Sequence, residues 1–139
     1  WTTSTFPGYQ SSYQKADLHH LFPTDSKANS SRGNYDFGEV LNGKDPAPNC
    51  DESQVSRSGK RVFQPSVNHR GNVARAMFYF AVRYNARINS DMERILRKWD
   101  LEDPIDQAEK DRNDGVYGVQ KNRNPFIDYP GLVEFISDI

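Results

Sequence analysis

The sequence has 139 residues, of which 35% are hydrophobic and 27% are charged, a composition typical of one folded domain with one core. Its formal net charge at pH 7 is −1, so any anion site depends on local clusters of lysine and arginine and not on overall charge. The single cysteine, Cys50, excludes an internal disulfide and a zinc site built on paired cysteines, and no apolar run is long enough to cross a membrane.

The first quarter of the chain predicts a strand followed by a short helix. Residues 1–16 are rich in Ser, Thr, Tyr and Gln around a Pro-Gly pair, which predicts an irregular lead-in or a sheet edge. Residues 16–23, ADLHHLFP, predict a strand that ends at its proline. The Thr-Asp pair at 24–25 is a candidate cap for a helix over residues 26–31, and Gly33 is expected to end that helix.

The next segment predicts few regular elements. Residues 34–58 carry several Gly, Pro, Asn and Ser residues, and FGEV is their one strand-like piece. Residues 60–65, KRVFQP, predict a further strand that stops at its own proline. This part therefore predicts a long connection with two short strands.

The second half of the chain predicts helices. In residues 71–88 apolar side chains recur at i, i+4, i+7, i+8 and i+11, which places them on one helical stripe. Residues 90–100 repeat the pattern, an Asp-Pro pair starts a helix over residues 103–114, and Pro130 starts a last short helix. Residues 1–139 are therefore predicted to form a single α+β domain in which helices dominate. The stripe residues are Val73, Met77, Phe80, Ala81 and Tyr84.

The first chemical pattern combines two histidines with an asparagine. Imidazoles of His19 and His20 are candidates for a general base or a metal ligand, and the amide oxygen of Asn29 suits a hard cation such as Mg²⁺. A strand that delivers histidine, a turn, and a helix that delivers a metal ligand form the minimal layout for metal-dependent phosphodiester cleavage. The alternative, which the spacing alone favours, is a histidine packed in the core and an Asn29 that only ends a helix.

Basic residues form the second pattern. Arg32 lies three residues after Asn29 on the same helix face, so it is placed to contact the same phosphate with two hydrogen bonds. The arginines and lysine of the later helices are expected to solvate the outer helix faces. Other basic clusters are Arg57, Lys60 and Arg61 beside a strand, and His69, Arg70 and Arg75 at a helix start. The residues expected to be solvated are Arg83, Arg87, Arg94 and Lys98.

Other catalytic motifs are absent from the sequence. It contains no G-x-S-x-G, no Walker loop and no dinucleotide fingerprint, which disfavours serine hydrolase and nucleotide-cofactor chemistry. The acidic run at 103–114 lacks the alternating acid spacing and the closing Glu of a calcium loop, so it favours a solvated acidic helix.

Four blocks of the sequence together resemble the bacterial endonuclease I family. They are DLHHLFPTDSKANSSRGNYDFGEV, RGNVARAMFYFAVRY, LRKWDLEDPIDQAEKDRND and QKNRNPFIDYPGL. The blocks occur in the order of the family and cover the chain from Lys15 onward. The resemblance implies a secreted or periplasmic nuclease with a ββα-metal (His-Me finger) core and a mostly helical C-terminal half.

The resemblance also implies an activity and a set of site residues. The family cleaves DNA, and often RNA, with little sequence preference; it uses one divalent cation and leaves 5′-phosphates. Mg²⁺ is the expected cation, and Mn²⁺ or Ca²⁺ is expected to substitute in binding. The family's helix asparagine that holds the metal matches Asn29, the preceding strand matches ADLHHL, and NRNPF matches residues 122–126. The expected substrate contacts are Lys15, Arg32, Arg70, Arg75 and Arg123.

The sequence departs from the family at its catalytic pair. The family's second metal ligand and its base form an adjacent Glu-His pair on the preceding strand, and no adjacent Glu-His occurs in these 139 residues. We therefore expect a chain that begins after this pair at Trp1, with its own N-terminal fragment as a candidate partner. Three readings stay open: a nuclease that is completed by that fragment or uses His19 and His20 as a substitute base, an inactive nucleic-acid-binding fragment, and a structural domain.

Overall fold

A computed structural model describes residues 12–41, 45–56, 59–137 and 139. Helices α1 to α6 are Ser12–Ala16, Ser26–Arg32, Arg70–Tyr84, Ser90–Glu102, Gln107–Gln120 and Pro125–Asp128. Strands β1 to β4 are Asp36–Phe37, Pro46–Ala47, Cys50–Ser56 and Val62–Gln64, and 3-10 turns span Leu18–His20, Val67–His69 and Leu132–Phe135. The described part of the chain is therefore α+β with helices dominant, as the sequence predicts.

The strands form one four-stranded sheet in the order β1-β4-β3-β2. Strand β1 is parallel to β4, with Asp36 opposite Val62, and β3 is antiparallel to β4, with Val55 opposite Phe63. Strand β2 is antiparallel to β3 at the other edge. All four strands of the described residues follow α2, so two strands before the helix of Asn29 are not seen in this part of the chain.

The core has a large helical part and a small part under the sheet. Helix α3 is buried on nearly all sides from Val73 to Ala81, and it packs against α4, where Leu96 and Trp99 have no exposed surface. The smaller cluster consists of Ala28, Ala47 and Val55 and holds α2 against the sheet. None of the described helices is both long and apolar enough to span a bilayer.

The prediction of a strand at residues 16–23 is wrong. This segment contains the end of α1 and the 3-10 turn Leu18–His20. The physical reason is a local hydrogen bond: the Asp17 carboxylate accepts from the backbone N–H of His19 at 3.0 Å and caps a helical turn, which competes with strand pairing. The first 11 residues of the predicted lead-in lie outside the described residues.

Other elements differ in their boundaries. Strand β3 was predicted as part of a connection because CDESQVS is mostly polar, although Val55 is fully buried. Helix α5 starts at Gln107, four residues after its predicted start at residue 103, because Asp106 accepts a hydrogen bond from the Glu109 N–H and caps the helix there. The helix extends to Gln120. Strand β4 and helix α2 lie where the sequence predicts them.

Candidate active site around Asn29

A cavity of about 300 Å³ lies between α2, the sheet and the start of α3, and we call it the Asn29 cavity. Its apolar lining is Phe22, Pro23, Ala28, Phe37, Phe63, Pro65 and Val73. Its polar lining is Thr24, Asp25, Asn29, Arg32, Asn49, Cys50, Ser53, Ser66 and His69. A lining that combines apolar side chains with convergent polar groups is the usual form of a ligand site.

Helix α2 presents Asn29 because both helix ends are capped. The Asp25 carboxylate accepts from the backbone N–H groups of Lys27 at 2.8 Å and Ala28 at 3.1 Å. At the other end Gly33 adopts a positive φ of 53°, and its N–H donates to the Asn29 carbonyl at 3.0 Å. Burial of Ala28 against the sheet leaves the next residue, Asn29, exposed at the cavity.

The Asn29 amide fits one ligand position of an oxygen-coordinated cation. Its side chain makes no hydrogen bond with any other described residue, so its oxygen is available to a hard cation such as Mg²⁺. The nearby Asp25 carboxylate is engaged by the helix N–H groups and by Asn49, whose Nδ2 lies 3.3 Å from Asp25 Oδ2. Among the described residues no group of three or more His, Cys, Asp and Glu could hold a metal. Asn29 alone would therefore not complete a metal site, and its role as a metal ligand stays a prediction.

The paired histidines lie in the interior. His19 is 1% exposed and His20 is 0% exposed. His19 Nε2 donates to the Asn122 carbonyl at 3.0 Å, and His20 Nε2 donates to the Gln14 carbonyl at 2.6 Å. Burial lowers the pKa of both imidazoles, which keeps them neutral. These contacts favour a supporting role over the predicted catalytic one, because neither ring reaches the Asn29 cavity.

A buried carboxylate anchors the segment before α2. Asp17 Oδ2 accepts from the hydroxyls of Tyr79 and Tyr84, each at 2.7 Å, and Oδ1 accepts from Gln120 Nε2 at 2.9 Å. Burial opposes ionisation of Asp17, but the hydrogen bonds from Gln120 and the two tyrosines outweigh it and lower its pKa. Burial and the same carboxylate raise the pKa of Tyr84 to about 12. These hydrogen bonds connect the segment before α2 to helices α3 and α5.

Arg32 is the one predicted substrate contact that lines the cavity with Asn29. Its guanidinium donates to the carbonyls of Gly33 at 3.1 Å and Tyr35 at 3.4 Å and lies 4.7 Å from the centroid of the Phe37 ring. It is 4% exposed, and burial lowers its pKa to about 10. The buried guanidinium therefore lies beside the cavity and gives its interior a positive potential.

The structure does not bring the other predicted contacts to the cavity. Arg75 is buried and bonds Glu109 at 2.6 Å and Asp100 at 2.8 Å. Arg123 pairs with Asp128 beside a different, smaller cavity, and Lys15 is exposed on α1. Arg70 is half-buried, and its Nε donates to the Pro65 carbonyl at 3.2 Å. Arg57, from the cluster beside the strand, lies outside the described residues.

His69 is the site residue that sequence reasoning missed. The sequence placed it in a basic cluster but not among the catalytic candidates. The structure places its half-buried ring in the lining of the Asn29 cavity, with the Phe22 ring edge-on at 4.9 Å between centroids. Its position just before the strongly periodic α3 was the only available signal, because residues at the start of a long helix commonly border ligand sites.

Comparisons with known proteins give a consistent result. A family model described as Endonuclease I matches residues 3–131. The chain is 37% identical over 132 residues to an extracellular ribonuclease of Bacillus amyloliquefaciens, covering 82% of this chain and 44% of that protein. It is 33% identical over 114 residues to a periplasmic deoxyribonuclease of Aeromonas hydrophila, covering 82% and 48%. The chain thus spans about half the length of the curated relatives it matches.

Proposed function

The chain belongs to the endonuclease I family, and from that premise we propose that it carries part of the active site of a metal-dependent endonuclease. The substrate is DNA, with RNA as a second substrate, and the products carry 5′-phosphates. The observation that carries this proposal is the Asn29 amide, which is exposed at a cavity that also contains the Arg32 guanidinium. This pairs a ligand for a hard cation with a fixed positive charge, as phosphodiester cleavage requires.

The names of the relatives support both the substrate class and the location. The Bacillus relative is named an extracellular ribonuclease and the Aeromonas relative a periplasmic deoxyribonuclease. A family that includes both is consistent with recognition of phosphate and sugar, which carry little sequence information. We therefore propose little sequence preference and a secreted or periplasmic location for this protein.

The reaction assigns separate tasks to the residues of this chain. A bound Mg²⁺ would neutralise the charge that develops on the scissile phosphate and on the leaving 3′-oxygen. Asn29 would hold that cation from α2, whose position is fixed by the Asp25 cap and by the Asp17 network. Arg32 would add positive potential from the buried wall, where the low dielectric strengthens its effect. The apolar residues that line the cavity would limit the access of water to the reacting groups.

The other catalytic groups are proposed to come from outside these elements. The adjacent Glu-His pair that the resemblance implies does not occur in the sequence, and the described residues do not complete a metal site. The N-terminal fragment predicted as a partner would supply a carboxylate ligand and the base in a ββα-metal arrangement. The missing Glu-His pair and the incomplete metal site also support an alternative function, in which the chain is an inactive fragment that binds nucleic acid.

Substitution of Asn29 tests the proposal. In the full-length protein that carries this sequence, Asn29→Ala should reduce Mg²⁺-dependent cleavage of plasmid DNA by about a hundredfold or more, because loss of a metal ligand removes several kcal/mol of transition-state stabilisation. Asn34→Ala, an exposed asparagine just beyond the same helix, is the matched control and should leave the activity unchanged. Near-normal Mg²⁺-dependent activity of a folded Asn29→Ala variant would reject the metal-ligand role.

A further inference from the structure

We propose that His69 is a further substrate-contacting residue of this site, and that its imidazole hydrogen bonds to a phosphate oxygen of the nucleic acid in the Asn29 cavity. This inference rests on the proposed function and adds a residue to it. The contact is non-covalent, and its ligand is a phosphodiester group held between α2 and the start of α3.

The three histidines of the sequence lie in different environments. His19 and His20 are at most 1% exposed, and each commits its Nε2 to a backbone carbonyl. His69 is half-buried and lines the same cavity as Asn29. Of the histidines, His69 is therefore the one that a substrate in this cavity can touch without rearrangement of the core.

The His69 ring is held in place by packing against Phe22. The Phe22 ring packs against it nearly perpendicularly, with an interplanar angle of 89°. The Arg112 guanidinium lies 4.3 Å from the centroid of the same Phe22 ring, and it donates to the Leu21 carbonyl at 2.8 Å. A ring that is fixed by packing loses little conformational entropy when it binds a ligand, which favours a defined contact.

The electrostatic environment of His69 favours an anionic ligand. His69 precedes the 15-residue helix α3, and its side chain does not cap that helix, so the positive end of the helix dipole lies beside the ring. The charged groups that act on the imidazole are Asp103 and Arg112. Burial lowers its pKa, so the ring is neutral at pH 7 and keeps one N–H to donate to a phosphate oxygen.

The proposal is tested in the full-length protein with His69→Phe, which keeps an aromatic ring against Phe22 and removes both ring nitrogens. We expect kcat/KM for plasmid cleavage in Mg²⁺, and the affinity for a short DNA duplex in EDTA, to fall by about 10-fold or more, the effect of losing one hydrogen bond to a charged group. Asn68→Gln is the matched control: Asn68 lies in the same 3-10 turn, is exposed and does not line the cavity, so both quantities should stay unchanged.

A second measurement keeps the proposal falsifiable when the variant folds poorly. In the wild-type 139-residue chain, the NMR signals of the His69 ring should shift on addition of the duplex, and its pKa should rise because a phosphate favours the imidazolium. A folded His69→Phe variant with wild-type cleavage and affinity, or a His69 ring signal that the duplex leaves unchanged, would overturn the inference. If the wild-type full-length protein cleaves neither DNA nor RNA, the proposed function itself is wrong.

Discussion

The hydroxyl of Tyr79 donates a hydrogen bond to the buried carboxylate of Asp17, with 2.7 Å between the two oxygens. The residues are 62 positions apart in the sequence, and the bond fastens the segment before α2 to the middle of α3. Asn122 joins the same group, because its Nδ2 donates to the Tyr79 hydroxyl at 2.6 Å. The helical half of the protein thereby holds the segment that leads into the helix that carries Asn29.

Asp17→Asn is expected to destabilise the fold. The amide would present a donor where the carboxylate accepts hydrogen bonds from Tyr79, Tyr84, Gln120 and the His19 N–H. We expect a loss of about 2–4 kcal/mol in the free energy of unfolding, because buried donors would lose their charged partner. Urea unfolding measures this loss.

Asp111→Asn is the control for that experiment. Asp111 accepts an exposed hydrogen bond from Gln107 at 2.7 Å, and loss of such a bond should cost about 1 kcal/mol or less. If both variants lose the same small free energy, the Asp17 network does not stabilise the protein in the way proposed.

Acid is expected to destabilise the protein in two stages. Burial lowers the pKa of His19, His20 and His69 below the unfolded value of 6.5. Between the folded and unfolded values the unfolded chain binds more protons, so the free energy of unfolding should be constant above pH 6.5 and decrease as the pH falls below it. The lowered pKa of Asp17 adds a second loss of stability below the unfolded value of 3.8.

Urea midpoints measured between pH 8 and pH 3 test this dependence. His20→Gln should weaken the first decrease, because the amide can donate to the Gln14 carbonyl that His20 contacts and does not titrate. A midpoint that is constant down to pH 5 in the wild-type protein would show that the buried histidines do not contribute as expected.

The sequence predicts the elements whose signals are local. Apolar periodicity locates α3, and the cap at Asp25 together with Gly33 locates α2, because both depend on residues within a few positions of one another. The sequence does not predict strand β3 because most of its residues are polar and pair with β2 and β4. Its fully buried Val55 is too weak an apolar signal to indicate a strand. Periodicity cannot show such pairing.

The site was predictable only in part, for the same reason. Asn29 follows from its place in a capped helix and from the family resemblance. The burial of the paired histidines depends on Tyr79, Phe80 and Asn122, which are distant in sequence. The position of His69 opposite α2 depends on Phe22, and no sequence spacing indicates that contact.

Arg75→Met is expected to reduce stability and not substrate binding. Arg75 is 1% exposed and bonds both carboxylate oxygens of Glu109, so its removal leaves a buried charge without its partner, at a cost of about 3–5 kcal/mol. The nucleic-acid affinity of the folded variant should equal that of the wild type. This result would contradict the role in substrate contact that the sequence predicts for Arg75. Arg94→Met, at an exposed arginine, is the control for stability.

Nucleic-acid binding is expected to weaken steeply as salt is raised. The net charge of −1 gives no overall attraction, so affinity must come from local cations that displace counterions from the phosphates. The logarithm of the binding constant for a DNA duplex should fall linearly with the logarithm of the NaCl concentration. An affinity that does not change with NaCl would show that the lysine and arginine clusters are not the binding surface.

The 139-residue chain, purified strictly alone, is expected to be inactive or nearly inactive on plasmid DNA with Mg²⁺. It contains no adjacent Glu-His pair, and its described residues offer Asn29 but no complete metal site. Neither His19 nor His20 is placed to act as a substitute base, because both rings are buried and bonded to carbonyls, and a misplaced base loses rate quickly.

A plasmid-nicking assay with single-histidine variants distinguishes the remaining readings. Mass spectrometry under denaturing conditions should first establish that no second peptide accompanies the chain. Strong nicking that His19→Ala or His20→Ala abolishes, with the fold intact, would make the paired histidines catalytic and would require the core around Tyr79 and Phe80 to open. Nicking that only His69→Phe abolishes would place the base at the start of α3. The expected result is DNA binding without nicking, because Asn29 and the basic residues are present while the sequence contains no adjacent Glu-His pair.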